Sequence, residues 1–295
     1  MMRRRGLLCV LCCCVFAAAG SVARAGTGST FIISGHGWGH GIGMSQYGAL
    51  GYAQHGFDFS KIVAHYYPGT ALGPAPVARV RVLLADGRST LTVASDAPFT
   101  LRDGSGAVHK LDPGSYAFGP GLQLRLAAGD PALTALPGPL VFLPGATPLS
   151  FSGKQYRGQI QALVTGKSLS AINIVGLEAY LGGVVPSEMP YFWASEALKA
   201  QAVVARSYAL AVRKPSGPFD LYGDTRSQVY GGIAAERAET NAAIAATAGQ
   251  VLLYGGKVAV TYFFSTSGGR TAAVGDVWTN GRPVPYLVSV PDPYD

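Results

Sequence analysis

GVVPSEMPYFW, residues 183–193, is the stretch that does most to decide the fold. It places Glu188 between two prolines, beside Met189 and just before three consecutive aromatic residues. Prolines fix their own φ and disfavour helix at the preceding residue, so we expect Glu188 on a stiff turn ahead of a helix. Apolar neighbours penalise a charged carboxyl, which would suit Glu188 to act as a general acid. A glutamate that only interacts with the helix dipole, or stays exposed, fits the residues equally well.

The helix that follows is predicted from Trp193 to Val212, with Ser195 as its N-cap and Pro215 just past its end. Alanine and valine occur on nearly every side of it, which indicates a buried, closely packed helix. A further helix is predicted over residues 234–248, where Gly249 can provide the C-cap.

Strands are predicted on both sides of these helices. Residues 75–175 contain short runs that alternate polar and apolar side chains, which is typical of β-structure. Asp86-Gly87 predicts a hairpin between residues 79–84 and 90–93, and Gly255-Gly256 predicts another. The proline- and glycine-containing stretch 129–148 is a candidate loop or insertion.

The region 26–74 differs in composition from the other two and is a glycine- and histidine-rich block with two short predicted helices. Ser45 is the expected N-cap of the first, and Ser60 of the second. Together with a β-rich region over 75–175 and a helix-containing region over 176–295, this predicts an α+β fold. We expect a β-rich domain packed on the helical one, with Glu188 at the start of the long buried helix.

The first 25 residues are predicted to be a signal peptide. Three arginines at 3–5 precede an apolar run over 7–20, and Ala23-Arg24-Ala25 fits cleavage after Ala25. A retained anchor is the alternative, although a membrane span needs roughly 20 apolar residues. All four cysteines lie in this segment. We therefore expect a secreted mature chain without disulfides or thiol chemistry.

Charge limits the classes of partner. The formal net charge of +7 falls to +3 without the signal, because 19 basic residues then oppose 16 acidic ones. A mild positive charge suits an anionic surface. Since no basic stripe with interleaved aromatics is present, nucleic-acid binding is not predicted.

Three groups of residues are candidates for substrate binding. The first group is on the long helix, where Lys199 and Arg206 lie on one stripe and Gln201 lies elsewhere on the surface. These side chains form either a polar groove beside Glu188 or an ordinary solvated face. The second group is a strand-end turn whose hydroxyls, glycines and arginine are suited to a polar ligand or to a purely structural turn, namely Ser265, Ser267, Gly268, Gly269 and Arg270.

The third group is His36, Trp38 and His40 in the glycine-rich block. Two histidines four residues apart would converge on a metal if they lay on a helix, but these alternate with glycines and have no third ligand nearby. No metal or other cofactor is therefore predicted. A loop that presents His36, Trp38 and His40 to a sugar or to the core is the favoured interpretation.

These motifs together resemble the stage II sporulation protein D / amidase enhancer family. The similar segments span nearly the whole chain after residue 25: GHGWGHGIGMSQYGALGYA (35–53), HYYPGT (65–70), LEAYL (177–181), VVPSEMP (184–190), ALKAQAVVARSYAL (197–210), QVYGG (228–232), TAGQVL (247–252), FFSTSGGRT (263–271) and PYLVSVPDPYD (285–295).

The resemblance implies a peptidoglycan function. Sporulation members are lytic transglycosylases that cut glycan strands after amidases have removed the stem peptides, and Glu188 matches their catalytic glutamate. Other members are named for stimulating a cell-wall amidase, so a binding module without cleavage is the alternative. Peptidoglycan glycan is the implied partner, with an amidase as a possible second one.

Three departures from the family pattern stand out. Some relatives bind zinc through His and Cys in the loop before QVYGG, whereas residues 221–227 contain neither. The glycine- and histidine-rich block comes first here and near the C-terminus in sporulation members. Relatives also continue past the position of Asp295, so we expect either a short member or a fragment.

Overall fold

The computed structural model describes residue 32, residues 34–126 and residues 132–295. The chain divides into Met1–Gly35 and His36–Asp295, and the second unit contains every helix and strand described below. The predicted signal peptide and its cleavage after Ala25 lie outside the described residues. Within the described part of the chain, none of the helices has the length and apolar character needed to cross a membrane.

The described residues form α-helices and short strands, which confirms the α+β class. The helices are α1 Gln46–Gln54, α2 Phe59–Tyr66, α3 Leu177–Glu188, α4 Ser195–Val212, α5 Ala238–Ala246 and α6 Val274–Val277. The strands are β1 Met44–Ser45, β2 Ala71–Pro74, β3 Arg79–Arg88, β4 Leu91–Ser95, β5 Phe99–Arg102, β6 Val108–Leu111, β7 Gly114–Phe118, β8 Gln123–Leu124, β9 Thr134–Ala135, β10 Leu140–Leu143, β11 Leu149–Phe151, β12 Lys154–Tyr156, β13 Gln159–Thr165, β14 Ser168–Gly176, β15 Leu221–Tyr222, β16 Gln250–Tyr254, β17 Lys257–Val258 and β18 Phe263–Phe264.

Two sheets carry the first hydrophobic core. One has seven strands in the order β15-β3-β14-β13-β10-β5-β6, and the other has four in the order β12-β11-β4-β7. Apolar side chains of both sheets, among them Phe142 and Val93, pack with Tyr180 of α3 and Ala205 of α4. This core holds α3 at a fixed position against the sheets.

A second core joins the two ends of the His36–Asp295 unit. Ile42, Met44 and Ile62 from the N-terminal block pack against Val203 of α4 and Leu287 near the C-terminus. Strand β1 also pairs in parallel with β18. Helix α4 therefore contributes side chains to both cores, and its predicted burial is confirmed.

Two predictions in the β-rich region are wrong. Strand β3 continues through Asp86-Gly87 and pairs with β14, whereas β4 belongs to the other sheet, so no hairpin forms there. Asp86 instead accepts a hydrogen bond from Ser170 of β14 at 2.6 Å. The stretch 129–148 contains β10, a buried strand between β13 and β5, because its apolar run outweighs the flanking prolines. The Gly255-Gly256 hairpin between β16 and β17 is confirmed.

The predicted helix caps are only partly right. Ser45 caps α1, where its Oγ accepts from the Gly48 N–H at 3.1 Å. Asp58 rather than Ser60 caps α2, since its carboxylate accepts from the Lys61 N–H at 2.9 Å. Ser195 is the first residue of α4, and no side chain caps that helix.

Candidate functional site

Glu188 is the last residue of α3, and residues 189–194 separate it from α4. The prediction of Glu188 at the start of the long buried helix is therefore wrong, because helical geometry continues through Pro186 and ends only where Met189 becomes extended. Val184 and Val185 are fully buried in the last turns of α3. The core therefore fixes the helix end that carries the carboxyl group.

The carboxyl group of Glu188 is half-buried and has one backbone donor. Its Oε1 accepts a hydrogen bond from the Val229 N–H at 3.1 Å. Burial raises the pKa of Glu188 above its ordinary value, and the Val229 N–H opposes this shift only in part. Gln46 of α1 donates to the Glu188 carbonyl at 2.9 Å, which ties the N-terminal block to the same position.

The QVYGG segment is held against α3 by a close backbone approach. The Gly231 N–H donates to the Gly183 carbonyl at 2.9 Å, and the Tyr230 hydroxyl donates to Asn173 of β14 at 2.9 Å. A Cβ at Gly183 would lie 2.6 Å from the Tyr230 ring, so only glycine allows this contact. The anchoring places the Val229 N–H beside Glu188.

A pocket of about 320 Å³ opens at Glu188. Four parts of the chain meet the end of α3 there: the glycine-rich block, α4, the loop before and through QVYGG, and the segment from Tyr262 to just past α6. None of the lining residues is a lysine or arginine; they are His40, Glu188, Tyr208, Thr225, Ser227, Gln228, Val229, Tyr262, Phe263 and Trp278. The pocket thus combines one carboxyl group with aromatic rings and neutral hydrogen-bonding groups.

His40 is a fixed part of the pocket wall. Its Nδ1 accepts from the Ile42 N–H at 3.1 Å, and its ring lies 5.7 Å from that of Trp278 and 5.6 Å from that of Phe264. Burial lowers the pKa of His40, so the ring is neutral at neutral pH. Of the three block residues predicted to face a ligand, His40 is the one that the structure places in the pocket.

His36 and Trp38 lie outside this pocket. Both are exposed, Trp38 to 78%, and the Trp38 backbone pairs with Thr266. In the part of the chain that the structure describes, no three His, Cys, Asp or Glu side chains come together as a set of metal ligands. The expectation of no metal site has therefore met no contrary observation.

Arg206 cannot contact a substrate, which corrects its predicted role. It is fully buried and forms a two-pronged ion pair with Glu178 of α3, with Nε and a terminal nitrogen 3.0 and 2.6 Å from the carboxylate oxygens. It also donates to the carbonyls of Ile244 and Gln250. Arg206 thus joins α4 to α3, α5 and β16, since a buried charge requires such partners.

The other two residues of this predicted groove also lie away from the pocket. Lys199 pairs with Glu196 at 2.6 Å, and Glu196 in turn accepts from the Phe59 N–H at the start of α2. Gln201 is fully buried rather than on the surface, and neither its amide oxygen nor its nitrogen has a hydrogen-bond partner among the described residues. Lys199 and Arg206 therefore stabilise contacts of α4, and neither they nor Gln201 form a groove beside Glu188.

The Ser265–Arg270 turn does present donors to carboxylates, but these carboxylates belong to the same chain. The N–H groups of Ser267 and Gly268 donate to Asp295, and the Ser267 hydroxyl donates to Asp292 at 2.9 Å. The Gly269 carbonyl accepts from the Asp292 N–H at 2.9 Å. This turn is a structural clamp for the PDPYD segment in the structure described.

The two ends of that turn are also occupied by neighbouring residues. Arg270 donates to Ser289 at 3.1 Å, and the Ser265 carbonyl accepts from the Tyr47 N–H at 3.0 Å. The geometry therefore favours a purely structural turn over a ligand-binding one. None of the five predicted residues lines the pocket at Glu188.

Several pocket residues were not predicted. Tyr208 is a half-buried position within the buried stretch of α4. Phe263 begins the FFSTSGGRT segment and Tyr262 directly precedes it, so the aromatic character of these three residues was a usable signal. Gln228 and Val229 come from QVYGG, where the motif match was the only indication. Trp278 had no sequence signal, because its position depends on how the segment after α6 folds back.

Comparison with known proteins shows a similarity over the part of the chain that carries Glu188. Residues 165–254 match the family model SpoIID, described as stage II sporulation protein, and this range includes Glu188, Tyr208 and Val229. Residues 165–254 are thus similar to the SpoIID family, and the resemblance inferred from the motifs is confirmed over this range.

Individual relatives agree with this match. The chain is 38% identical over 149 residues to an amidase enhancer of Bacillus subtilis, which covers 50% of this chain and 20% of the relative. It is 36% identical over 144 residues to stage II sporulation protein D of the same organism, covering 42% and 41%. An uncharacterized protein of Brachyspira hyodysenteriae is 36% identical over 144 residues, covering 48% and 39%. The chain therefore matches less than half the length of each of these relatives.

Proposed function

We propose that this chain is a peptidoglycan lytic transglycosylase, with Glu188 as its single acid and base. The observation that carries the proposal is a half-buried carboxyl group of raised pKa in a pocket of aromatic and neutral polar side chains. A carboxyl group whose pKa is raised keeps its proton to higher pH than an ordinary glutamate and can donate it to a glycosidic oxygen. The similarity to stage II sporulation protein D and amidase enhancer supports a cell-wall function.

The proposed reaction needs no second carboxylate. Glu188 donates its proton to the glycosidic oxygen as the bond to C1 of the sugar breaks and the electron pair leaves with that oxygen. The resulting Glu188 carboxylate then takes the proton of the C6 hydroxyl of the same sugar, whose oxygen bonds to C1. The product is a 1,6-anhydro end, and no water is consumed, in contrast to two-carboxylate hydrolases.

The hydrogen bond from Val229 supports different tasks for the two carboxyl oxygens in this proposal. The Val229 N–H donates to Oε1, so the proton is favoured on Oε2. The rings of Tyr262 and Trp278, whose centroids are 4.9 Å apart, provide apolar faces for a sugar in the same pocket.

The test is the product spectrum on stem-peptide-free glycan. Wild-type protein should release fragments with 1,6-anhydro ends, as measured by mass spectrometry, and Glu188→Gln should release none. Glutamine keeps the size of the side chain and the acceptor for Val229 but cannot transfer the proton. Equal product from both proteins would remove Glu188 from the mechanism.

A second candidate function is stimulation of a cell-wall amidase without glycan cleavage. The observation that favours it is the 38% identity to an amidase enhancer over half of this chain. It predicts that purified protein leaves glycan intact, yet increases the turnover of an amidase mixed with it. For either function we propose a location outside the cell membrane, on the basis of the signal-like N-terminal residues.

A further inference from the structure

Three exposed aromatic side chains belong to chain segments that meet at Glu188, and none of them lines the pocket. Tyr191 is 41% exposed, Phe192 is 73% exposed and Tyr47 is 51% exposed. Exposed aromatic side chains grouped in this way indicate a binding surface. We call Tyr47, Tyr191 and Phe192 the aromatic platform.

The platform rings are held in place by ring contacts. Tyr191 and Phe192 meet edge to face with centroids 5.6 Å apart, and Tyr47 meets the half-buried Trp193 at 4.8 Å. The Arg237 guanidinium lies 5.7 Å from the centre of the Tyr191 ring. Rings fixed in this manner lose little conformational freedom when a ligand binds.

Both halves of the platform are fastened to the segment that carries Glu188. Tyr191 follows Glu188 by three residues, so their Cα atoms are at most about 11 Å apart. Pro190 stiffens this link, and the Trp193 N–H donates to the Pro190 carbonyl at 3.1 Å. Gln46, the residue before Tyr47, donates to the Glu188 carbonyl at 2.9 Å. These links keep the rings within reach of a polymer bound at Glu188.

We propose that the aromatic platform is a sugar-stacking subsite for glycan residues beyond those in the pocket. The proposal rests on the proposed function, since it extends the same glycan site. Aromatic rings present flat apolar faces that match the C–H faces of sugars. The platform has three side chains, whereas a stable protein interface buries about 800 Å² per partner and some 20–30 residues a side, so a protein partner fits less well.

The test measures binding to protein that carries Glu188→Gln, so that cleavage does not interfere. Two stem-peptide-free ligands are compared, a disaccharide that fills only the pocket and an octasaccharide that reaches the platform. Phe192→Ala should weaken octasaccharide binding about three- to tenfold and leave disaccharide binding unchanged. Phe192→Leu should be as weak as alanine, because it is apolar but not flat, and Phe192→Trp should bind at least as tightly as phenylalanine.

A matched control removes exposed apolar surface elsewhere. Val108 is 63% exposed on β6, at the edge of the seven-stranded sheet, and Val108→Ala should bind both ligands normally. Unchanged octasaccharide binding by Phe192→Ala, or full binding by Phe192→Leu, would overturn the platform proposal. The proposed function would still stand if Glu188→Gln had lost cleavage. Absence of glycan binding by all variants would overturn both. If Phe192→Ala abolished amidase stimulation but not glycan binding, the platform would be a protein-docking surface instead.

Discussion

At the scale of single residues, Glu188 differs from other acids of this chain in how its charge is balanced. Exposed Asp224 has its pKa lowered to about 2, chiefly by hydrogen bonds from Arg226. Glu188 has one backbone donor and no cationic partner among the described residues, so burial dominates and its pKa rises. The pKa of a carboxyl group thus moves in opposite directions at Asp224 and Glu188 because their surroundings differ.

The pH dependence of cleavage should follow from this shift. The proposed first step needs protonated Glu188, so the cleavage rate should fall as pH rises through a pKa above the ordinary 4.5 of glutamate. Initial rates on stem-peptide-free glycan across the acidic and neutral range measure this. A rate that increases over that range would contradict the role of Glu188 as the acid.

Stability measurements provide the control. Because the folded-state pKa is raised, ionised Glu188 lowers the free energy of unfolding at any pH above the unfolded-state value. Glu188→Gln should therefore have a melting temperature no lower than that of wild type at neutral pH. That result would show that the variant loses activity without unfolding.

At the scale of elements, the site depends on the contact between α3 and the QVYGG segment. Gly183 allows the Tyr230 ring to approach the helix, and Tyr230 is anchored to Asn173. That contact positions the Val229 N–H at Glu188. Gly183 in α3 therefore serves packing, although glycine weakens a helix.

The two neighbouring glycines offer a matched comparison. Gly183→Ala puts a Cβ 2.6 Å from the Tyr230 ring, whereas Gly182→Ala meets nothing nearer than 3.4 Å. We expect Gly183→Ala to lower the free energy of unfolding by roughly 1–3 kcal/mol relative to Gly182→Ala, and to reduce cleavage. Gly182→Ala should be neutral or stabilise by up to about 1 kcal/mol. Denaturant unfolding measures both; equal values would show that Tyr230 moves freely.

At the scale of the whole molecule, α4 links two hydrophobic cores. Ala202 and Ala205 face the core of the sheets, while Val203 and Val204 face the core built from the two ends of the His36–Asp295 unit. The pocket at Glu188 takes residues from both sides of α4. We therefore expect this unit to unfold as a single cooperative body.

Ile62→Ala tests that expectation. Ile62 is fully buried in the second core, and its truncation should cost about 2–5 kcal/mol. Far-ultraviolet circular dichroism, which follows the sheets, and tryptophan fluorescence should shift to lower temperature together. The neighbouring Lys61→Ala, which removes an exposed pair with Asp58, should change stability by at most about 1 kcal/mol. Two separate unfolding transitions, only one of which shifted in Ile62→Ala, would contradict unfolding as a single cooperative body.

Local chemistry accounts for what the sequence by itself determined. The α+β class, the buried helix after residue 194, the Ser45 cap and the Gly255-Gly256 hairpin each depend on neighbouring residues and are present in the structure. The SpoIID resemblance came from motifs that are contiguous in the chain. Information of this kind needs no knowledge of distant contacts.

Distant contacts account for what only the tertiary structure decided. Arg206 faces Glu178 rather than a substrate, the Ser265–Arg270 donors bind Asp292 and Asp295, and β3 pairs with β14 rather than β4. Each of these side chains or strands has several possible partners in the sequence. Only the folded chain selects one, because a buried charge or hydrogen-bonding group must be satisfied by whatever packing brings within reach.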